Sequence, residues 1–332
     1  MMIRKAYPLL LGTLLALSGC SKEHPDLDEG NALLILDIPA GFQYPNIPAD
    51  NLPTQNRIDL GKQLFNDPIL SLDTSISCAS CHKTELAFTD GLRFSKGIDT
   101  MWAARNSMTL VNAAYQPTLF WDGGSPTLEH QAVAPIENPR EMGFEINAAV
   151  ARLQNHPTYP DLFQKAYGEA PSVYSLTRAL ACYERTLFSG VSRFDRFRYL
   201  GQQDALNESE IRGMNIFMGE RGECFHCHGE PNFTDYTFQN NGLYLEYPDS
   251  GRARITFQST DVGKFKVPSL RNVELTGPYM HDGSIATLEE VIDHYDMGGN
   301  PHPNRSGLLR PINMTAQEKA DLLAFLKALT DE

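Results

Sequence analysis

Apolar residues recur at helical spacing in five stretches of this 332-residue chain, 147–155, 172–188, 207–218, 286–295 and 315–329. That period gives each stretch one apolar face and predicts five amphipathic helices. Three of them carry a capping signature at the start, namely Asn207-x-x-Glu210, Thr287-x-x-Glu290 and Thr315-x-x-Glu318. Period-two alternation is limited to short pieces, 243–247 and 253–257. The intervening segments are long loops rich in Gly, Pro and Asn. The pattern predicts an all-α, loop-rich chain with room for two modest domains, 46–195 and 200–332, parted near Gly201-Gln202-Gln203.

Two pentapeptides supply what such loop-rich domains lack, a reason to hold together. Cys78-Ala79-Ser80-Cys81-His82 and Cys224-Phe225-His226-Cys227-His228 both read Cys-x-x-Cys-His, the attachment signal of c-type haem. The four cysteines would form thioethers, and His82 and His228 would ligate iron. The competing reading is a pair of disulfides or a tetrahedral zinc site. A histidine directly after each second cysteine serves neither. Haem fills core volume, so the fold class becomes two cytochrome c-like domains, each with one covalent haem c. The last helix, with Leu322, Leu323, Phe325, Leu326 and Leu329, reads as the one that closes the second domain.

Two cysteines remain. Cys182 falls in a helical stretch and reads as a buried structural thiol. Cys20 ends Leu17-Ser18-Gly19-Cys20, after Arg4, Lys5 and an apolar run over 9–17. That is a leader with a positive start and a core too short to span a bilayer. Its last four residues are similar to a bacterial lipobox. The expectation is a leader over 1–19, lipidation at Cys20 and a tether over 20–45, giving an exported lipoprotein held at a membrane and facing the periplasm. Ser21 leans toward the outer membrane. An ordinary secretory leader with an incidental cysteine is the alternative. The formal charge of −13 argues against nucleic acid and suits steered encounters with a basic partner.

The segments between and after the haem motifs add an ordered set: Arg105-Asn106-Ser107, Phe120-Trp121-Asp122-Gly123, Leu128-Glu129-His130-Gln131, Glu137-Asn138-Pro139-Arg140-Glu141-Met142, Pro268-Ser269-Leu270-Arg271-Asn272 and Thr276-Gly277-Pro278-Tyr279. In that order the chain resembles the bacterial di-haem cytochrome c peroxidases and their MauG-like relatives. The resemblance implies that hydrogen peroxide reacts at the N-terminal haem and that the C-terminal haem relays electrons. It puts the distal-pocket acid on Glu141, where a carboxylate moves a proton between the two peroxide oxygens. Gln131 and Pro135 would line the same pocket. Trp121 would lie between the haems, and Asn106, Thr276 and Pro278 would hold calcium through oxygen atoms.

The chain departs from the peroxidase pattern at two ligand positions. Many of these peroxidases cap the first haem with a histidine eight residues before the Asn of the Arg-Asn motif. That position is Ile98, and 83–105 contains no histidine, which leaves Met101 as the available substitute. The first haem is therefore expected to be open at rest. On the second haem, the position of the capping methionine falls on Tyr295, the MauG-like arrangement, with Met297 and His294 as alternatives. A phenolate would favour ferric and higher states. MauG-like proteins that modify a partner tryptophan carry a relay tryptophan two residues before the second motif; here that residue is Gly222. Three functions follow: a peroxidase fed by a small exported cytochrome c or cupredoxin, a MauG-like oxidase of a partner protein or aromatic substrate, or a two-haem electron carrier without turnover. The last needs a protein ligand on the first haem and leaves Gln131 and Glu141 without a use. The sequence does not set the oligomeric state.

Overall fold

The computed structural model describes residues 29–332. The leader 1–19, Cys20 and the start of the tether lie outside the described residues. Helices dominate: α1 (Gln55–Asn66), α2 (Cys78–Cys81), α3 (Leu128–Gln131), α4 (Val133–Glu137), α5 (Ile146–Gln154), α6 (Tyr159–Tyr167), α7 (Val173–Glu184), α8 (Arg193–Tyr199), α9 (Glu208–Met218), α10 (Ala253–Thr256), α11 (Leu288–Met297) and α12 (Ala316–Lys327). Among the described residues the sheet is a single pair, β1 (Phe238–Gln239) antiparallel to β2 (Phe265–Lys266). The five predicted helices appear as α5, α7, α9, α11 and α12. The three capping boxes close at Asn207, Thr287 and Thr315. Both predicted strand pieces are absent: 243–247 is loop, and 253–257 opens with α10, which stops at Phe257 in the left-handed region (φ 58).

Each half is organised by a helix crossing over a glycine. A Cβ on Gly61 of α1 would fall 1.9 Å from the Ala179 carbonyl of α7, and one on Gly213 of α9 would fall 1.9 Å from the Asp321 carbonyl of α12. An aromatic one turn later, Tyr183 or Phe325, packs over the gap. Around the first crossing, Leu64, Phe65, Leu153, Phe163 and Leu176 form one core. Around the second, Phe194, Phe217, Phe233 and Phe325 meet mostly edge to face, with Phe194 and Phe233 centroids 5.0 Å apart. Phe194 brings α8 into this second core, and its neighbour Asp195 pairs with fully buried Arg271 at 2.5 Å.

A second device is repeated. Asn112 and Asn272 are both left-handed (φ 58 and 57), as are Gly123 and Gly283 (φ 69 and 61). The loops between them close through matching bridges, Leu119 to Ser125 and Tyr279 to Ile285. Each loop ends at a threonine N-cap, Thr127 or Thr287. In this duplicated frame Trp121 and His281 occupy equivalent positions. Ahead of α1, residues 33–44 lie across both halves. Leu33 bridges to Thr54, while the Phe42 ring meets Tyr115 at 5.3 Å and the Arg271 guanidinium at 5.2 Å.

Candidate haem and peroxide site

The two Cys-x-x-Cys-His motifs are held in the same way by different local structures. α2 is a single turn closed by a Ser77–Ser80 capping box, with His82 as its C-cap; the second motif is a 3-10 turn over Cys224–His226. In each, the histidine Nδ1 lies against a backbone carbonyl, His82 to Phe88 at 2.8 Å and His228 to Phe233 at 2.9 Å. That contact holds the ring in place. Desolvation pushes both imidazoles below the ordinary histidine range, against the opposing pull of those carbonyls. Both are therefore neutral at pH 7, the form that ligates a metal. Among the described residues the four motif cysteines form neither a disulfide nor a metal-binding group; the one cluster of ligand-type side chains is Glu220, Glu223 and His226. The disulfide and zinc readings find no support in this arrangement, whereas paired thiols beside an oriented imidazole fit haem c.

A cavity of about 280 Å³ opens beside the second motif, lined by Cys224, Cys227, His228 and Tyr295. Burial pushes the Tyr295 phenol up to about 12, although an Asn241 hydrogen bond opposes it. Met297 is 68 % exposed, and His294 is occupied with the Asn241 carbonyl at 2.9 Å. Of the three candidate ligands, only Tyr295 faces the cavity. Met280, which the sequence reading passed over, also lines it, with its sulfur accepting from Asn241 Nδ2 at 3.2 Å. Gly222 lines the wall, and a Cβ there would fall 2.5 Å from the Ile216 carbonyl.

Trp121, Asn106, Thr276 and Pro278 line the same cavity, although they come from both halves of the chain. Trp121 donates from its indole to the Asn106 carbonyl at 2.9 Å, and its own carbonyl accepts from Lys266 N at 2.7 Å. The next residue, Asp122, is fully buried between Arg105 and Arg254. Asn106 donates from Nδ2 to the Leu92 and Arg93 carbonyls, which leaves Oδ1 uncommitted. The Thr276 and Pro278 carbonyls accept no hydrogen bond from the described residues. Uncommitted oxygens on three residues that line one cavity are the donor chemistry that calcium takes.

Glu141 lies near the first motif, close enough that its charge reaches both Cys78 and Cys81. Burial raises its carboxyl pKa against the Asn138 amide, which donates to it at 2.7 Å. Its loop is tied down on two sides, by Met142 N to the Pro135 carbonyl at 3.1 Å and Ile98 N to the Glu141 carbonyl at 2.9 Å. Ile98 is buried, while Met101 and Trp102 beside it are exposed. Gln131 ends α3, half-buried, at the start of the turn into α4. Sequence reasoning missed Glu184, at the end of α7. It is buried, its Oε2 has no hydrogen-bond partner, and desolvation pushes it up to about 8. Cys182, two residues earlier on α7, is the buried thiol expected.

The model of the di-haem cytochrome c peroxidase family matches residues 55–204. The methylamine utilization protein MauG of Methylorubrum extorquens is 36 % identical over 331 residues, covering 98 % of this chain and 93 % of its own. The cytochrome c551 peroxidase of Nitrosomonas europaea is 35 % identical over 316 residues, 91 % of each chain. A solved structure of a MauG-like protein associated with microbial copper homeostasis superposes with a TM-score of 0.85 at 38 % identity, covering 90 % of this chain and 96 % of that one.

Proposed function

Because this chain belongs to the di-haem cytochrome c peroxidase and MauG family and is an oxidoreductase of the peroxidase type, we propose that it reduces hydrogen peroxide to water at its N-terminal haem. That haem would be held by Cys78, Cys81 and His82. Electrons would arrive through a second haem, held by Cys224, Cys227 and His228, from a small exported cytochrome c or cupredoxin. Bound haem supplies the iron at which the peroxide O–O bond is broken. Glu141 takes the proton from the near peroxide oxygen and returns it to the far one, which leaves as water. Trp121 would lie between the two haems, Tyr295 would cap the second, and Asn106, Thr276 and Pro278 would hold calcium at the junction. The protein works in the periplasm, tethered through a lipid on Cys20. No helix among the described residues is long and apolar enough to cross a membrane.

The observation that carries this reading is Glu141, a carboxyl with its pKa raised by burial, beside the first thiol pair. The backbone of Ile98 closes over it, in a loop with no histidine to compete for the iron. A MauG-like oxidase is the second reading, favoured by Tyr295 at the cavity wall. Against oxidation of a partner tryptophan stands Gly222, where the Ile216 carbonyl excludes any side chain. The test is the optical spectrum of the fully oxidised holoprotein before and after one equivalent of peroxide. Prompt conversion without reductant is the expected result. No change until one haem is reduced overturns the open first haem.

A further inference from the structure

Phe265 and His281 line the same cavity as Trp121 and Tyr295, stacked 13° from parallel with centroids 3.7 Å apart. Behind them stands Tyr247, 6.2 Å from Phe265 and 6.4 Å from His281. Tyr247 is also near enough to Tyr295 for its charge to reach that phenol. Tyr244, half-buried at the protein's edge, lies 5.6 Å from Tyr247 and, edge-on, 6.4 Å from His281 itself. The rings thus run without a gap from the cavity to the surface.

The two tyrosines end in different chemistry. The Tyr247 hydroxyl donates to the Asn240 side-chain carbonyl at 3.0 Å, an amide that cannot keep a proton. The Tyr244 hydroxyl donates to Asp282 Oδ2 at 2.6 Å. Burial would raise the Asp282 pKa, but hydrogen bonds from Tyr244 and Ser284 outweigh it and keep the carboxylate ionised. Oxidising a phenol requires releasing its proton, so Tyr244 is the ring on this route with a base in place.

Resting on the peroxide reading above, we propose that Tyr244, reached through Tyr247 and the Phe265–His281 stack, is an oxidisable relay residue that carries oxidising equivalents from the haem pair to the surface. One peroxide takes two electrons from the protein and two protons from solvent, and ends as two waters. Tyr244 gives one of those electrons inward and its phenolic proton to Asp282, becoming a neutral tyrosyl radical beside a neutral carboxyl. The second oxidising equivalent stays with the haem pair. A reductant docking at this edge, a small redox protein or a phenolic molecule, returns the electron, and Asp282 returns the proton. The route supplies an exit that Gly222 cannot. Tyr199 also meets a carboxylate, Glu230 at 3.0 Å, but its ring contacts Phe194 and lies off this route.

The test uses the holoprotein with both haems, given one equivalent of hydrogen peroxide without donor and frozen over a time course for electron paramagnetic resonance. A radical signal that narrows with ring-deuterated tyrosine is expected, lost in Tyr244→Phe, kept in Tyr199→Phe and slower to form in Asp282→Asn. The optical spectrum of the peroxide-oxidised protein should also outlive the wild type several-fold in Tyr244→Phe. Unaltered resting haem spectra check that each variant has folded and loaded. Persistence of the signal in Tyr244→Phe, or an unchanged lifetime, overturns the relay. Optical conversion without a deuterium-sensitive signal overturns the relay alone. Failure of peroxide to convert the spectrum overturns the peroxide reading, and the relay with it.

Discussion

Replacing Glu141 with glutamine removes a base while keeping its shape. The Asn138 amide now donates to Glu141 Oε1 at 2.7 Å, and a glutamine carbonyl in the same place accepts that bond. The loop ties to Pro135 and Ile98 run through backbone atoms, so they survive. The loss is therefore that of proton transfer alone, about 10²–10⁴-fold for a positioned acid–base group. At 1.36 kcal/mol per tenfold, that adds about 2.7–5.4 kcal/mol to the barrier. The assay is stopped-flow mixing of oxidised holoprotein with peroxide, read as the second-order rate constant across pH. Glu141 must be ionised to accept a proton, and burial raises its pKa above the ordinary 4.5. The rate should thus fall as pH drops through that raised value. Asn138→Ala removes the bond that favours the carboxylate and should move this acid limb to higher pH. A wild-type rate in Glu141→Gln, or an acid limb unmoved by Asn138→Ala, refutes the assignment.

Three further outcomes concern stability. Gly213→Ala forces a Cβ to within 1.9 Å of the Asp321 carbonyl; the overpacking, about 3 kcal/mol at the upper end for such insertions, exceeds the about 1 kcal/mol gained in helix propensity. Denaturant titration of the holoprotein should show the net loss, with Gly61→Ala behaving alike in the first half. Arg271→Met leaves Asp195 buried without its cation and should cost about 3–5 kcal/mol, part of which Arg271→Met with Asp195→Leu should restore. Glu184 is raised from 4.5 to about 8 on folding, so the folded state binds the extra proton and stability falls as pH rises between those values. Glu184→Gln should flatten that slope in melts taken across the same window.

The elements legible in the chain were those whose cause is local. Asn207, Thr287 and Thr315 announce α9, α11 and α12 because a cap is decided within four residues. The helix α1 went unread because Gly61 interrupts its apolar stripe, and that glycine makes sense only against Ala179, far along the chain. Ala253–Thr256 alternates like a strand, but Phe257 turns left-handed and ends a single helical turn. The haem motifs were legible from spacing alone. Asn106, Thr276 and Pro278 were not: nothing in their spacing brings the three residues to one cavity, and only the family resemblance singled them out. Glu184 reads as a polar helix residue, and its burial comes from the packing of α7 on both sides.

The segment 33–44 sets an order of events in time. It is made early, yet Phe42 has no guanidinium to rest on until Arg271 has been synthesised and has found Asp195. A stretch that starts near the beginning of the chain is thereby among the last to seat. Until it does, Leu36 and Phe42 are uncovered, and a protease that cuts there reports how much of the population has finished folding.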